Sequence, residues 1–583
     1  MGIQRFGAHM RGHAVKSVLG STESPATKSV AIIDGPGLAH HIYYKLCHKH
    51  IATTGTITYA DCADAVVRWL DDLRSIGCKV EAIIFDGALP QSKKDVRIGR
   101  LQSYVARLQT YKQHIGSGVP RLSGEARRNL PPPAFLVFTI VEELLQSAEY
   151  ADSTFVVQGE ADPYCVAAAQ SVPTEDFDSI VIFSDDADLL VYRLDENVSV
   201  VTFRDLSESA ADNGVVWTCE QYWPAKIAQR ASPPLIDLIK PAYYMAQDPH
   251  LTLDHALRKV AAKDPADQDE FSQFLATFQT TEETKLWDAI KKDANLKAML
   301  AARDSRVSEL IYEAEVLASG EQVGALRMYL PFQLDDPARK SAWAVGSDVR
   351  IAAYSLLLTS SNSESELSTQ EYRRSGARIA ATMIETWSSE ATNVQLQTLS
   401  SHIEKTMAQT AKSQHRPLDH WRYLVMHQTL SDIVTDGYAL PTTDEVLQVV
   451  TNKEPRKWHL IHLEAQYQAA YYSLRMMKQI LAYVKRSSTH KMADEELIAR
   501  LVEQLRDLPR IATLFANNQF SDRQEEQKAW HDPLGHMLMA LGGSQEDENQ
   551  GPKKRRKKSK KSPQEDKQAN SLAKNPFAML AED

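Results

Sequence analysis

The sequence predicts an α/β fold: a parallel-sheet core in residues 1–250, a mainly α-helical region over 251–541 and a disordered basic tail over 542–583. Three observations predict it. Four short apolar runs each stop at carboxylates. The segments between them are long enough for crossover helices. Glycine is then absent from Val215 to Ser319, and amphipathic stretches such as Glu464 to Lys485 fill the second half. Strands alternating with helices build a parallel sheet, and such sheets keep their sites beyond the carboxyl ends of the strands.

Val30 to Ile33 is the first run, ending in Asp34 and followed by Gly35-Pro36-Gly37. Asp61 to Ile76 carries an apolar stripe at helical spacing and is the crossover to the second run, Ala82 to Phe85, which ends in Asp86 and Gly87. Pro133 to Ser147 is a further helix. Phe155 to Val157 then leads into Gly159, Glu160 and Asp162, and Ile180 to Phe183 into Asp185, Asp186 and Asp188. Alone, the last stretch also fits an acid-rich helix N-terminus, which the helix dipole favours. Its recurrence at four strand ends favours one acidic crevice. Like charges so close resist ionising together unless a cation sits among them, and hard divalent ions with oxygen ligands are the natural occupants. Asp185 falls outside the set, because Asp186-x-Asp188 places two acids around one turn. Ser184 and Cys165 read as packing residues, and the adjacent His40 and His41 point apart.

Between Asp86 and the Pro133 helix lies an insert of opposite sign. Lys93 to Arg128 holds nine basic residues (Lys93, Lys94, Arg97, Arg100, Arg107, Lys112, Arg121, Arg127 and Arg128) against Asp95 and Glu125, or +7 in 36 residues. Tyr104 and Tyr111 are interleaved. The segment is either a solvated helix pair or a surface that draws polyanions towards an acidic site; its place beside the crevice favours nucleic-acid contact.

The net charge of −10 includes a basic run, Lys553 to Lys561, with 8 of the 66 basic residues. Without it, 58 basic residues face 76 acids, a balance of −18, so only local patches could attract nucleic acid. The five cysteines lack C-x-x-C spacing, which points to a reducing compartment and no structural zinc. The first residues lack a signal-peptide pattern and no apolar run reaches spanning length, so no membrane partner is expected. In the tail, Asn575 to Leu580 is a small apolar island: a protein-docking peptide or chance composition.

At these motifs the chain resembles the flap endonuclease and XPG-type family of PIN-like nucleases, and within it the asteroid subgroup. Ile33-Asp34-Gly35 and Phe85-Asp86-Gly87 resemble its first two acidic motifs, with Lys93 and Arg100 on its basic gateway helix. Gly159-Glu160-Ala161-Asp162 is similar to its Gly-Glu-Ala-Glu, and Asp186-Ala187-Asp188 to its Asp-x-Asp pair. Met328 to Trp343 looks like a segment of asteroid-type relatives. The resemblance implies metal ligands at Asp34, Asp86, Glu160, Asp162, Asp186 and Asp188, with Asp248 taken from the weaker match Tyr243 to Asp248, which lacks the family's glycine. It implies that Lys93 and Arg100 act on the scissile phosphate. Nucleic-acid contacts are expected at Gly2, at His40 (where many relatives place a stacking tyrosine) and at Lys94, Arg97, Arg107, Lys112, Arg121, Arg127 and Arg128. The family's glycine-rich helical hairpin has no counterpart here.

The expected activity is hydrolysis of phosphodiester bonds in branched or single-strand-containing DNA, in repair or replication. Two Mg²⁺ or Mn²⁺ ions about 4 Å apart would serve the attacking water and the leaving oxygen. The rival reading is a PIN-like scaffold with weak or no activity, in RNA regulation or protein assembly. A phosphatase-like hydrolase lacks a nucleophile motif. Lys553 to Lys561 predicts nuclear import.

Overall fold

The computed structural model describes residues 3, 6–19, 29–49, 57–115, 130–173, 175, 177–211, 214–230, 234–248, 250–262, 267–319, 325–358, 368–411, 417–451, 457–487, 494–516 and 524–542. Gly2, Arg121, Arg127, Arg128, the Lys553–Lys561 run and Asn575 to Leu580 lie outside these residues.

Strands β1 to β8 are Val15–Leu19, Ser29–Asp34, Cys78–Phe85, Thr154–Val156, Ser179–Phe183, Val198–Val201, Ser207–Ala211 and Gly214–Tyr222. They form one sheet in the order β1-β8-β6-β5-β2-β3-β4, with β7 on β8. β6, β5, β2, β3 and β4 run parallel, and β8 and β1 extend the sheet antiparallel. The chain leaves β2 in one direction through β3 and β4, then crosses back to β5 on the other side of β2. That reversal makes the β2/β5 boundary the switch point of the sheet. Val30, Ala31, Ile32 and Ile33 of β2 are buried on both faces, which is why they read as an unbroken apolar run.

The helices fall where the patterns place them. Tyr59–Ser75 opens with a capping box: Thr58 accepts from the Asp61 N–H while the Asp61 carboxylate accepts from the Thr58 N–H at 2.8 Å. Its stripe of Cys62, Val66, Trp69, Leu70 and Leu73 is buried on the sheet, with Trp69 edge-on to Phe183 at 5.7 Å. Leu136–Leu144 and Ala161–Ser171 are the further crossovers. Gly87 is required by close approach, since a Cβ there would stand 1.8 Å from the Val157 carbonyl oxygen.

Two large apolar cores dominate the described residues, and along the chain the change from one to the other falls between Leu300 and Val307. Trp287, Ile290 and Leu300 still pack into the first, with Trp287 against Phe155 at 4.7 Å. The second runs from Val307 to Leu538 around the long Trp458–Arg486 helix, and takes in Tyr59, Phe135 and Phe138 from the sheet domain. The second half is mainly α-helical as expected, with one exception. β9 (Leu326–Tyr329), β10 (Ser368–Ser375) and β11 (Arg378–Glu385) form a three-stranded sheet. Its central strand buries Thr369, Glu371 and Arg374, so it carries no alternating apolar pattern to be read. Glu371 takes the Arg350 guanidinium at 2.7 Å and the Tyr354 hydroxyl at 2.8 Å. Arg374 makes a two-point contact with Asp335, both bonds 2.7 Å.

The basic insert is fixed by this second sheet. Its helix, Lys94–Ile115, buries Leu101, Val105 and Leu108 against Tyr329, Phe332 and Tyr372. Gln102 donates to the Ala377 carbonyl at 3.1 Å and accepts from the Ile379 N–H at 2.9 Å.

Removing one partner of a buried ion pair leaves the other charge uncompensated, at a cost of about 3–5 kcal/mol. Glu371→Gln is therefore expected to destabilise the chain by about that amount. Replacing Arg350 and Glu371 together by Met and Leu should recover most of the loss. Urea unfolding of the three chains checks both statements; a single variant as stable as wild type would show that the pair carries no structural weight.

Candidate functional site

Four strand ends deliver their acids to the crevice at the switch point. Asp34 ends β2, where its Oδ1 accepts from the Gly37 N–H at 3.1 Å and its Oδ2 from the Ser184 hydroxyl at 2.7 Å. Gly37 has no side chain because a Cβ would lie 2.4 Å from the Asp34 carboxylate. Asp34 is raised to about 7, by burial above all and by the charges of Asp86 and Asp186, against the pull of these two bonds. Asp86 follows β3 and accepts from the Ala161 N–H at 2.8 Å, at the N-terminus of the Ala161–Ser171 helix. Burial raises it to about 6; Glu160 adds to the rise, while Arg100 and Arg97 oppose it.

Asp162 lies in the first turn of that same helix and is pushed well above the carboxylate range. Burial is the main cause, and the charges of Asp34, Asp186, Asp86 and Glu160 follow. Beyond β5, exposed Asp186 accepts from the Asp188 N–H at 2.8 Å and its own N–H donates to Ser184 at 3.0 Å. Asp188 accepts from the Ile3 N–H at 3.1 Å, and burial and Asp186 raise it to about 6. Lys93 bonds Glu160 at 2.8 Å.

The structure thus brings Asp34, Asp86, Glu160, Asp162, Asp186 and Asp188 within electrostatic reach of one another. Among the described residues, no group of three or more His, Cys, Asp or Glu side chains is set to hold a metal ion as it stands. The donor chemistry nevertheless suits a hard divalent cation: all oxygen, several carboxylates, and a proton affinity raised by burial and mutual repulsion. Asp248 is not brought in. It sits exposed at the end of the Ile239–Gln247 helix, accepting from the His250 N–H at 3.0 Å, and is not among the charges that shift the crevice acids. Asp185 turns outward to Arg204.

The basic residues divide. Exposed Arg100 acts electrostatically on both Asp86 and His40. Arg107 donates to the Leu130 carbonyl at 2.7 Å and the Tyr44 hydroxyl at 3.4 Å, beside the stacked pair His40 and Tyr44. Arg97 is turned inward onto Glu309, its guanidinium 4.1 Å from the Tyr329 ring centre. Lys112 pairs with Asp336, and Lys94 lies over Tyr372. His41 stacks on Phe203, away from His40.

Ser184 is a site residue that sequence reasoning took for packing. Fully buried, its hydroxyl ties Asp34 to the Asp186 loop. The β2/β5 register, with Ile33 opposite Phe183, sets the next residues side by side and is the signal that could have found it.

A parallel sheet with carboxylates converging at its switch point is the arrangement expected of the nuclease core that the motifs resemble. Residues 132–386 match the family model described as XPG domain containing, in line with the XPG-type resemblance read from the motifs. Among solved structures, the T5 D15 protein, co-crystallised with metal ions, aligns over 48% of this chain and 93% of its own. At 11% identity and a TM-score of 0.24, the likeness adds nothing to a fold that the sheet itself defines. No curated protein matches the chain.

Because Asp34, Asp86 and Asp188 are raised above the ordinary 3.8, their contribution to stability is present below pH 4 and lost as pH climbs through about 6 to 7. In metal-free buffer the melting temperature should fall over that window. Asp162→Asn removes the charge most crowded by others and should raise the melting temperature at pH 8 but not at pH 4. Thermal melts across pH decide it; an unchanged profile in the variant would mean that the acids do not strain the crevice.

Proposed function

We propose that the chain is a divalent-metal-dependent, structure-specific endonuclease acting on branched or single-strand-containing DNA, with a role in repair or replication. The observation that carries the reading is Asp162, half-buried among the charges of four other acids with Lys93 and Arg100 on the rim. Such a concentration of like charge is costly in a protein that has no cation to place there. Asp34, Asp86, Glu160, Asp162, Asp186 and Asp188 are the residues that would hold two Mg²⁺ or Mn²⁺ ions. Bound ions supply Lewis acidity toward the phosphate and the attacking water. Ser184 keeps the Asp34 carboxylate and the Asp186 loop in fixed relation. Lys93, steadied by Glu160, and exposed Arg100 present positive charge to a phosphate entering the crevice. His40, Tyr44 and Arg107 form an aromatic and cationic surface beside it, of the kind on which bases stack.

Asp186→Ala and Asp188→Ala should each lower metal-dependent cleavage by about 100-fold or more, since even outer partners of metal ligands cost 10–100-fold. Lys93→Ala with Arg100→Ala should slow cleavage more than it weakens binding. Both are read on a panel of flap, fork and linear oligonucleotides with Mg²⁺ and Mn²⁺. A wild-type chain inert on every substrate with either ion would favour the scaffold reading instead.

The tail supports nuclear localisation through Lys553 to Lys561, and Asn575 to Leu580 as a protein-docking segment. Deleting residues 553–583 should disperse the protein to the cytoplasm and leave cleavage of short substrates intact. Imaging of the tagged deletion tests this; retention in the nucleus would remove the import role.

A further inference from the structure

A cavity of about 200 Å³ opens on the second module, lined among others by Arg339, Lys340, His459, His462, Asp436 and Glu445. Its wall is a built feature. The buried Arg374 guanidinium holds the 335–340 loop from within, bonding the Asp335 carboxylate and the carbonyls of Asp336, Arg339 and Lys340 at 3.2, 3.1 and 3.3 Å. With its backbone so held, the loop contributes Arg339 and Lys340 to the cavity lining.

His462 lies in the lining and is only 4% exposed. Its Nδ1 accepts from the Asp336 backbone N–H at 3.3 Å, which places the ring proton on Nε2. That Nε2–H has no protein partner among the described residues. Burial, then the charge of Arg339, depresses the ring to about 4, so it stays a neutral donor near pH 7.

The two cations are loosely committed. Arg339 stands 3.9 Å from Asp336, whose carboxylate already takes Lys112, and Lys340 is 3.5 Å from Asp436 in a pair half open to water. Such pairs are worth little and yield to a better anion. Glu445 is occupied on both oxygens, by the Thr442 N–H at 3.0 Å and by His459 at 2.7 Å.

We propose that this cavity binds a phosphate monoester, with the His462 Nε2–H and the Arg339 and Lys340 cations as its donors. A dianion matches two cations, and three separate donors suit a tetrahedral group better than a flat carboxylate. At about 30 Å³ per liquid water, the space holds roughly six or seven waters, enough for a phosphate and the sugar it esterifies. The monoester is either a free nucleotide or the terminal phosphate of a strand. The site is separate from the acidic crevice. Lys112, which braces the loop through Asp336, lies 18 residues along its helix from Lys94, about 27 Å at 1.5 Å per residue.

Titration calorimetry on the full chain in EDTA tests the proposal with inorganic phosphate, AMP, and one short oligonucleotide with and without a 5′-phosphate. Saturable binding of phosphate and AMP is expected, weakened at least about tenfold by Arg339→Ala with Lys340→Ala. Both side chains are half exposed or more, so the melting curve should not move. His462→Phe should weaken binding as well, with its own melting curve as the control for folding. A stronger response to the phosphorylated oligonucleotide than to AMP assigns the strand terminus; the reverse order assigns the free nucleotide. No saturable binding of phosphate or AMP overturns the proposal. So does binding that the double variant leaves unchanged. Cleavage assays on the same variants keep this result apart from the fate of the nuclease reading.

Discussion

Like charge gathered at the ends of adjacent parallel strands opposes folding, and much of the first half of the chain is arranged to bear it. The parallel order of β6, β5, β2, β3 and β4 fixes where Asp34, Asp86, Asp162 and Asp186 fall. Local devices then offset part of the repulsion. Backbone N–H groups of Gly37, Ala161 and Ile3 each serve one carboxylate, Ser184 serves Asp34, and Lys93 neutralises Glu160. What remains shows in the raised proton affinity of Asp34, Asp86, Asp162 and Asp188. An apolar sheet buried on both faces supplies the stability against which that strain is held.

The second module meets a related problem by the opposite means. Its buried charges are paired, Arg350 with Glu371 and Arg374 with Asp335, and the spare donors go to backbone carbonyls and, from Arg350, to the Ser473 hydroxyl. Arg350 and Arg374 thereby join the Trp343 segment, the central strand β10 and, through Ser473, the long Trp458–Arg486 helix. The basic helix rests on this same sheet, so the rim of the crevice is positioned by residues more than two hundred places further along the chain.

How much of this was legible in the sequence followed from how each element is buried. The parallel strands were, because residues such as Val30 to Ile33 face apolar neighbours on both sides. The Tyr59–Ser75 helix was, because its stripe and capping box are local. β10 was not, since its inward residues Thr369, Glu371 and Arg374 are polar and their partners lie far off in sequence. In the site, acids at strand ends announced themselves through motif order. Ser184 did not, because a serine becomes informative only once the β2/β5 register is known. Arg97 and Lys112 looked like two more exposed cations; their acids, Glu309 and Asp336, belong to the other module.

That separation bears on how the protein is made. Arg97 and Glu309 are 212 residues apart, and the strands beneath the basic helix come later still. At about 5–20 residues per second of synthesis, the helix waits on the order of 10–40 s before its support leaves the ribosome. During that interval Leu101, Val105 and Leu108 have no surface to cover them, while β2 and β3 can already pair. The acidic floor of the crevice can therefore form during translation, whereas its cationic rim is assembled only after the second sheet has been completed.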